Sequence, residues 1–174
     1  QWFTEHGTAE EQAQIDLYLG RAYVEDGEYD KAMQIYADAL QLAKEHQAYN
    51  VAGYICAYMA DLYGFRDITS ECLKKREEAC EFFKKAENYK SYAYSLKDLA
   101  GEWAILDSFA CTIPLLQKAD SISQLLHNKN LTAAIANAFA LEAATGLLPI
   151  YQWQRAQQWF TEHGTAEEQA QIDL

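Results

Sequence analysis

At 174 residues the chain is long enough for one compact domain with a core, or for a short run of stacked units. Its 14 Lys and Arg stand against 26 Asp and Glu, and the formal net charge of −12 works against a nucleic-acid backbone or an anionic membrane face as partner. With 50% hydrophobic residues, eight Gly and two Pro, it is neither a disordered nor a collagen-like chain and should fold.

Apolar residues recur at three- and four-residue spacing almost throughout, and no stretch alternates with period two, so the expected fold is all-α. The opening run, Gln1 to Gly7, is polar and has no basic flank leading into an apolar block, so no secretion signal is expected. Thr8 and Glu11 have the spacing of a capping box, which predicts a helix start there, and Gly7 suits the left-handed end of a preceding helix. Helices of about 15–20 residues follow. Polar breaks separate them at Asp26-Gly27-Glu28, His46-Gln47, Arg66-Asp67, Glu87-Asn88, Asp107-Ser108, His127 to Asn130, Thr145-Gly146 and His163-Gly164-Thr165. Pro114 falls well inside a helical pattern and is expected to kink that helix or to mark a late start, whereas Pro149 is tolerable in a first turn. Even the strongly apolar stretch from Leu131 to Leu141 falls far short of the ~20 residues of a membrane span.

Cys56, Cys72, Cys80 and Cys111 lack the close spacing of a zinc site or redox pair, and all four sit in helical patterns. They are expected to be buried, reduced thiols. That favours a reducing compartment and a cytoplasmic location, an extracytoplasmic module of a larger protein being the alternative.

A 40-residue period runs through the chain. Leu19-Gly20 with Tyr23 recurs as Met59-Ala60 with Tyr63, then as Leu99-Ala100 with Trp103, and more weakly as Phe139-Ala140 with Ala143. In the following helices Ala32 and Ala39 become Cys72 and Ala79, then Thr112 and Ala119. Small residues in register with large ones let helices approach to ~8–10 Å while an aromatic fills the adjoining hole.

The stretch from Tyr18 to Leu40 resembles a tetratricopeptide repeat, with Leu19, Gly20, Tyr23, Gly27, Tyr29, Ala32, Tyr36 and Ala39 at the family's signature spacings. Later units keep the spacing but replace several signature residues, and the period exceeds the standard of about 34. The resemblance implies an all-α, right-handed αα superhelix, a solenoid of about four helical hairpins in a single domain over 1–174. Its units are approximately 8–46, 47–88, 89–128 and 130–163, with partial hairpins at 1–7 and 164–174. It also implies an inner face that binds peptides or protein segments.

Residues 1–17 reappear unchanged as residues 158–174, an offset of 157. Neighbouring units share only scattered identities, so this duplication reads as engineered or as a very recent tandem copy. The copies offer each other's missing halves, and head-to-tail self-association through Trp2, Phe3, Trp159, Phe160 and Ile172 is one expectation, since heterologous contacts of this kind propagate unless they close a ring.

No motif supplies a nucleophile with its base, a phosphate loop or a metal with its ligands, so no catalytic residue, metal or cofactor is expected. His6, His46, His127 and His163 all stand at inter-helix corners and read as helix-end polar residues. The pairs Glu10-Glu11 and Glu77-Glu78 read as a first helical turn and as solvated ion pairs with Lys74, Lys75 and Arg76.

What remains is a groove. The first helices of the hairpins should turn Leu17, Arg21 and Val24, then Tyr54, Ala57, Tyr58 and Asp61, then Tyr94, Lys97, Asp98 and Gly101, then Asn137 and Leu141 toward the inner surface. Tyr54 is expected to pack between repeats, and Tyr58 and Tyr94 either to pack there as well or to face a partner. Arg21, Tyr58, Asp61, Tyr94, Lys97 and Asp98 are the candidate partner-binding residues, because tyrosine gives a large contact at low entropic cost and a cation orients a carboxylate. The expected function is non-catalytic: a scaffold holding a protein or peptide segment, with a self-assembling structural unit as the alternative and no nucleic-acid or membrane contact.

Overall fold

The computed structural model describes residues 7–106 and 108–144, apart from the side chains of residues 109 and 142–144. Trp2, Phe3, His6, Pro149, His163 and the second copy of the duplicated segment, with Trp159, Phe160 and Ile172, lie outside the described residues. The described residues form α1 (Ala9–Glu25), α2 (Tyr29–Glu45), α3 (Tyr49–Phe65), α4 (Thr69–Lys85), α5 (Tyr89–Ile105), α6 (Phe109–Leu125) and α7 (Lys129–Ala144), with no strand among them. The fold class is all-α, of the helical-hairpin repeat kind. Each helix starts 20 residues after the last, so the 40-residue period of the sequence is one hairpin.

The corners are built alike. After α1 the Gly27 amide donates to the Val24 carbonyl at 3.0 Å and the Glu28 amide to the Tyr23 carbonyl at 2.8 Å, the bond pair of a Schellman motif. The same two bonds close α2 through Gln47 and Ala48, α3 through Asp67 and Ile68, α4 through Glu87 and Asn88, and α6 through His127 and Asn128. The motif requires one left-handed residue, and φ is 78° at Gly27, 57° at Gln47, 56° at Asp67, 55° at Glu87 and 49° at His127. Of these five corners, only the first uses the residue that adopts this conformation freely.

Helix starts differ more. Thr8 and Glu11 form the expected capping box, the Glu11 amide donating to Thr8 Oγ1 at 3.2 Å and the Thr8 amide to Glu11 Oε2 at 2.8 Å. Asn88 and Asn128 cap their helices by accepting from the Ser91 and Leu131 amides, each at 3.1 Å. Pro114 stands in the second turn of α6, which sets the late-start alternative aside. The physical reason is local: the Cys111 and Thr112 amides already bond the Ser108 carbonyl at 3.0 and 3.1 Å, so the first turn is closed before the proline is reached.

Contacts group the chain into two units, 1–95 and 96–174, the division falling inside α5. In the first, α1 packs on α2, α3 on α4, and α3 also on α2 and α1. Surrounded in this way, α3 buries Val51, Ala52, Gly53, Ile55, Cys56, Met59, Ala60 and Leu62, while α2 contributes Ala32, Tyr36, Ala39, Leu40 and Ala43. Two glycines set the helix spacing. A methyl group added at Gly20 would run into the ring of Tyr36, and one added at Gly53 would lie 2.8 Å from the ring of Phe83. Above Phe83 sits Tyr54, edge-on at 4.8 Å, whose hydroxyl shares a 2.8 Å hydrogen bond with Ser91. Tyr54 is thus the inter-repeat packing residue expected of it.

In the second unit Leu96, Leu99 and Ala100 of α5, Thr112, Leu116 and Ala119 of α6, and Leu131, Ile135 and Phe139 of α7 are buried. Thr112 Oγ1 donates to the Ala100 carbonyl at 3.3 Å, and α7 packs on α6. The repeat equivalences of the sequence hold in part: Leu19 is exposed where Met59, Leu99 and Phe139 are buried, and Ala140 is only part-buried. Gly20, Ala60 and Ala100 are buried, as are Ala32, Cys72 and Thr112, and Ala39, Ala79 and Ala119. Tyr23, Tyr63 and Trp103 are each half-buried, and each carbonyl receives the amide that closes its corner.

None of the four cysteines is in a disulfide; Cys56, Cys72 and Cys80 are buried as expected, whereas Cys111 is partly exposed. Among the described residues, no helix is long and apolar enough to cross a membrane.

Candidate functional site

The 3.6-residue turn places Arg21, Val24 and Glu25 on one edge of the last turns of α1, and places Tyr58, Asp61 and Leu62 likewise on α3. Because α1 and α3 pack together, these two sets meet over Tyr36 of α2 and line an open hollow of about 230 Å³. Tyr36 and Tyr58 stack with centroids 6.2 Å apart and planes 16° from parallel. The Arg21 guanidinium lies over the Tyr58 ring, 5.3 Å from its centroid, a cation–π arrangement. Asp61 Oδ1 accepts from Arg76 Nη2 of α4 at 2.7 Å, and the Arg76 side chain is only 12% exposed.

Tyr36 forms the floor. Its side chain is fully buried, and among the described residues its hydroxyl has no hydrogen-bond partner. Burial pushes its pKa up to about 12, with the neighbouring Tyr58 and Asp61 adding to the rise and Arg21 opposing it. The hydroxyl therefore stays protonated over the working pH range.

A second hollow lies over α2, α3 and α4, with Leu40, Gln41, Lys44, Met59 and Lys75 on its walls. Beside it Glu78 accepts from Lys75 at 2.9 Å and from the Cys56 thiol at 3.5 Å, with Lys44 at 3.6 Å. Burial alone would raise the Glu78 carboxyl, but the Lys75 hydrogen bond, the two lysine charges and the thiol hold it below the ordinary carboxylate value. Burial and the adjacent carboxylate push the Cys56 thiol up to about 12, which removes it as a nucleophile. This group is structural, so the expectation of solvated ion pairs at Glu77-Glu78 needs correcting: Glu78 and Arg76 are part-buried and tie helices together. Glu11 is explained by its capping box instead.

Of the expected binding residues, the structure brings Arg21, Tyr58 and Asp61 together around one hollow. Tyr94 is half-buried in the first unit, while Lys97 and Asp98 are part-exposed in the second and form an ion pair with each other at 2.7 Å. Leu17 belongs to the core at 2% exposure, so it is not a groove residue. Gly101, Asn137 and Leu141 are exposed. His46 caps α2 and His127 occupies the corner after α6, both exposed. Sequence reasoning missed Tyr36 as a lining residue, because its repeat position marks it as core; the phenol oxygen was the only signal. Among the described residues no cluster of three or more His, Cys, Asp or Glu is placed to hold a metal.

Neither the protein-family models nor the curated proteins contain a match to this chain.

Proposed function

We propose that this chain is a non-catalytic interaction scaffold of the tetratricopeptide kind, and that it holds an extended or helical segment of another protein where α1 and α3 meet. The observation that carries the reading is Tyr58, half-exposed yet already fixed by stacking on Tyr36 beneath and by Arg21 above. A rigid aromatic anchor beside an apolar-walled hollow has little conformational entropy left to lose on binding, which is why such residues dominate interfaces. The tetratricopeptide assignment rests on the signature positions: Gly20 against Tyr36, Gly27 at the left-handed corner, and Ala32 and Ala39 fully buried. Panning random dodecapeptides on the full chain tests the scaffold. Selected peptides should lose about 30-fold in affinity on Tyr58→Ala, the loss of one anchor of ~2 kcal/mol; undiminished binding sinks the assignment of this face.

The second reading is head-to-tail assembly through the duplicated ends. What favours it is phase: the 157-residue offset is three short of eight 20-residue helix steps, so the copied corner recurs nearly in register with the helical repeat. Light scattering on chains with and without residues 158–174 decides it, since an unchanged mass removes the idea.

A further inference from the structure

We infer that residues 158–174 of one molecule replace residues 1–17 of the next, so that α1 of each chain is completed by a second copy of this chain; the inference rests on the head-to-tail reading and adds to it the seat and the manner of joining. The first observation is an open face on α1. Ile15, Asp16 and Leu19 follow Gln12 by three, four and seven residues, which sets all four on one side of that helix. Their counterparts 40 residues on, Ala52, Ile55, Cys56 and Met59, are all buried in α3, which packs on the preceding helix α2. Tyr92, Ser95, Leu96 and Leu99, a further 40 residues on, are buried as well. Leu19 is instead 44% exposed, where Met59 and Leu99 are each 5% exposed, and none of the other three on α1 is buried. Thus α1 leaves open the face that is covered in the later hairpins, and among the described residues no helix precedes it.

The duplication identifies the occupant. Residues 1–6, directly ahead of the corner before α1, are identical to residues 158–163. The stretch that belongs in front of α1 is therefore the one ending at His163, and there it is followed by the same corner and by Thr165 to Leu174, the duplicate of Thr8 to Leu17. The resident residues are readily replaced. Between residues 8 and 17 only Ala13 and Leu17 are buried, and Ala170 and Leu174 repeat them. The side-chain hydrogen bonds of this stretch all close inside it, Thr8 with Glu11 and Gln12 with Asp16. The seat on α2 and α3 thus accepts either copy, and the guest copy brings with it the stretch ending at His163 to cover Leu19. Against this, the helix is interrupted between Leu174 of the guest and Tyr18 of the host, and a tethered segment gives way to an untethered one, so the exchange depends on concentration. The principal helix contacts among the described residues join helices one or two steps apart, whereas the copy stands nearly eight 20-residue steps from α1, which makes the guest a second chain.

The test sets the two copies against each other in the full chain, with Leu17→Glu to disable the host's segment and Leu174→Glu to disable the guest's. Mass is read by light scattering across a concentration series. The Leu17→Glu chain should reach half-association at a concentration at least about tenfold below that of the parent, because the resident segment no longer competes for the seat. Adding either Leu174→Glu or the exposed-face change Leu19→Asp should return it to a single chain of 19.8 kDa. Circular dichroism of the associated Leu17→Glu chain should show the parent's helix content, since the guest's segment stands in for the host's. A Leu17→Glu chain that stays single, folded or not, overturns the inference, and so does association that persists with Leu174→Glu, the mark of a misfolded aggregate. If the parent associates through residues 158–174 but Leu17→Glu weakens that association or leaves it unchanged, head-to-tail joining stands and the exchange alone falls. If neither the parent nor Leu17→Glu exceeds the mass of one chain, both fall together.

Discussion

Gly20 and Tyr36 form a matched pair: the ring of Tyr36 occupies the space a side chain at Gly20 would need, with Cδ1 at 2.6 Å and Cζ at 2.9 Å from the position of an added methyl. Tyr36 is fully buried, with its ring edge packed against α1 at this contact. Gly20→Ala should therefore destabilise by up to about 2 kcal/mol, the ~1–3 kcal/mol of overpacking less the ~1 kcal/mol that alanine gains in a helix. Gly20→Ala combined with Tyr36→Leu should recover part of the loss. Urea unfolding of the three variants measures it, and a Gly20→Ala chain as stable as the parent would show that α1 and α2 separate freely.

The corners give opposite expectations from one geometry. Gly27→Ala places a Cβ at φ 78° with nothing crowding it, so its effect is conformational and should cost about 1 kcal/mol. Glu87→Gly relieves the same strain at φ 55° and should raise stability by about 0.5–1 kcal/mol. Equal effects of the same sign at the two corners would contradict the shared motif.

Thiol labelling separates the cysteines. Iodoacetamide at about pH 8 should modify Cys111, which is partly exposed, and spare Cys56, Cys72 and Cys80 until the chain is unfolded. Cys56 is the most protected, buried and with its thiol pushed up to about 12. Peptide mapping by mass spectrometry reads the order, and early modification of Cys56 would count against the packing of α3.

Glu78 makes stability depend on acid. Its folded pKa lies below the unfolded value, so the stabilisation is complete above the unfolded carboxylate pKa and disappears as pH falls through the folded one. Below about pH 4.5 the parent should lose stability faster than Glu78→Gln. At neutral pH that variant, which leaves Lys75 and the Cys56 thiol with a weaker acceptor, should be less stable by about 1–3 kcal/mol. Denaturation midpoints across this range check both, and parallel pH profiles would remove Glu78 from the account.

The helices, their corners and their 40-residue pairing were legible in the residues alone. These features depend on interactions that close within a few positions: the Thr8 and Glu11 cap, the polar breaks between helices, the three- and four-residue apolar spacing. The grouping of Arg21, Tyr58 and Asp61 was also within reach, because equivalent positions of stacked hairpins share an edge. Other features depended on distance through space. Leu17, one turn before Arg21, reads as a groove residue but is buried in the fold, and Tyr36 reads as plain core but also lines a hollow. Glu78 and Arg76 look like surface charges in a run of lysines and glutamates, yet the crossing of α3 with α4 buries them against Cys56 and Asp61. Side-chain periodicity says which residues point the same way along a helix. Which of those directions ends in solvent, in a neighbour or over a cavity depends on where the other helices lie, and that is set only when the hairpins pack.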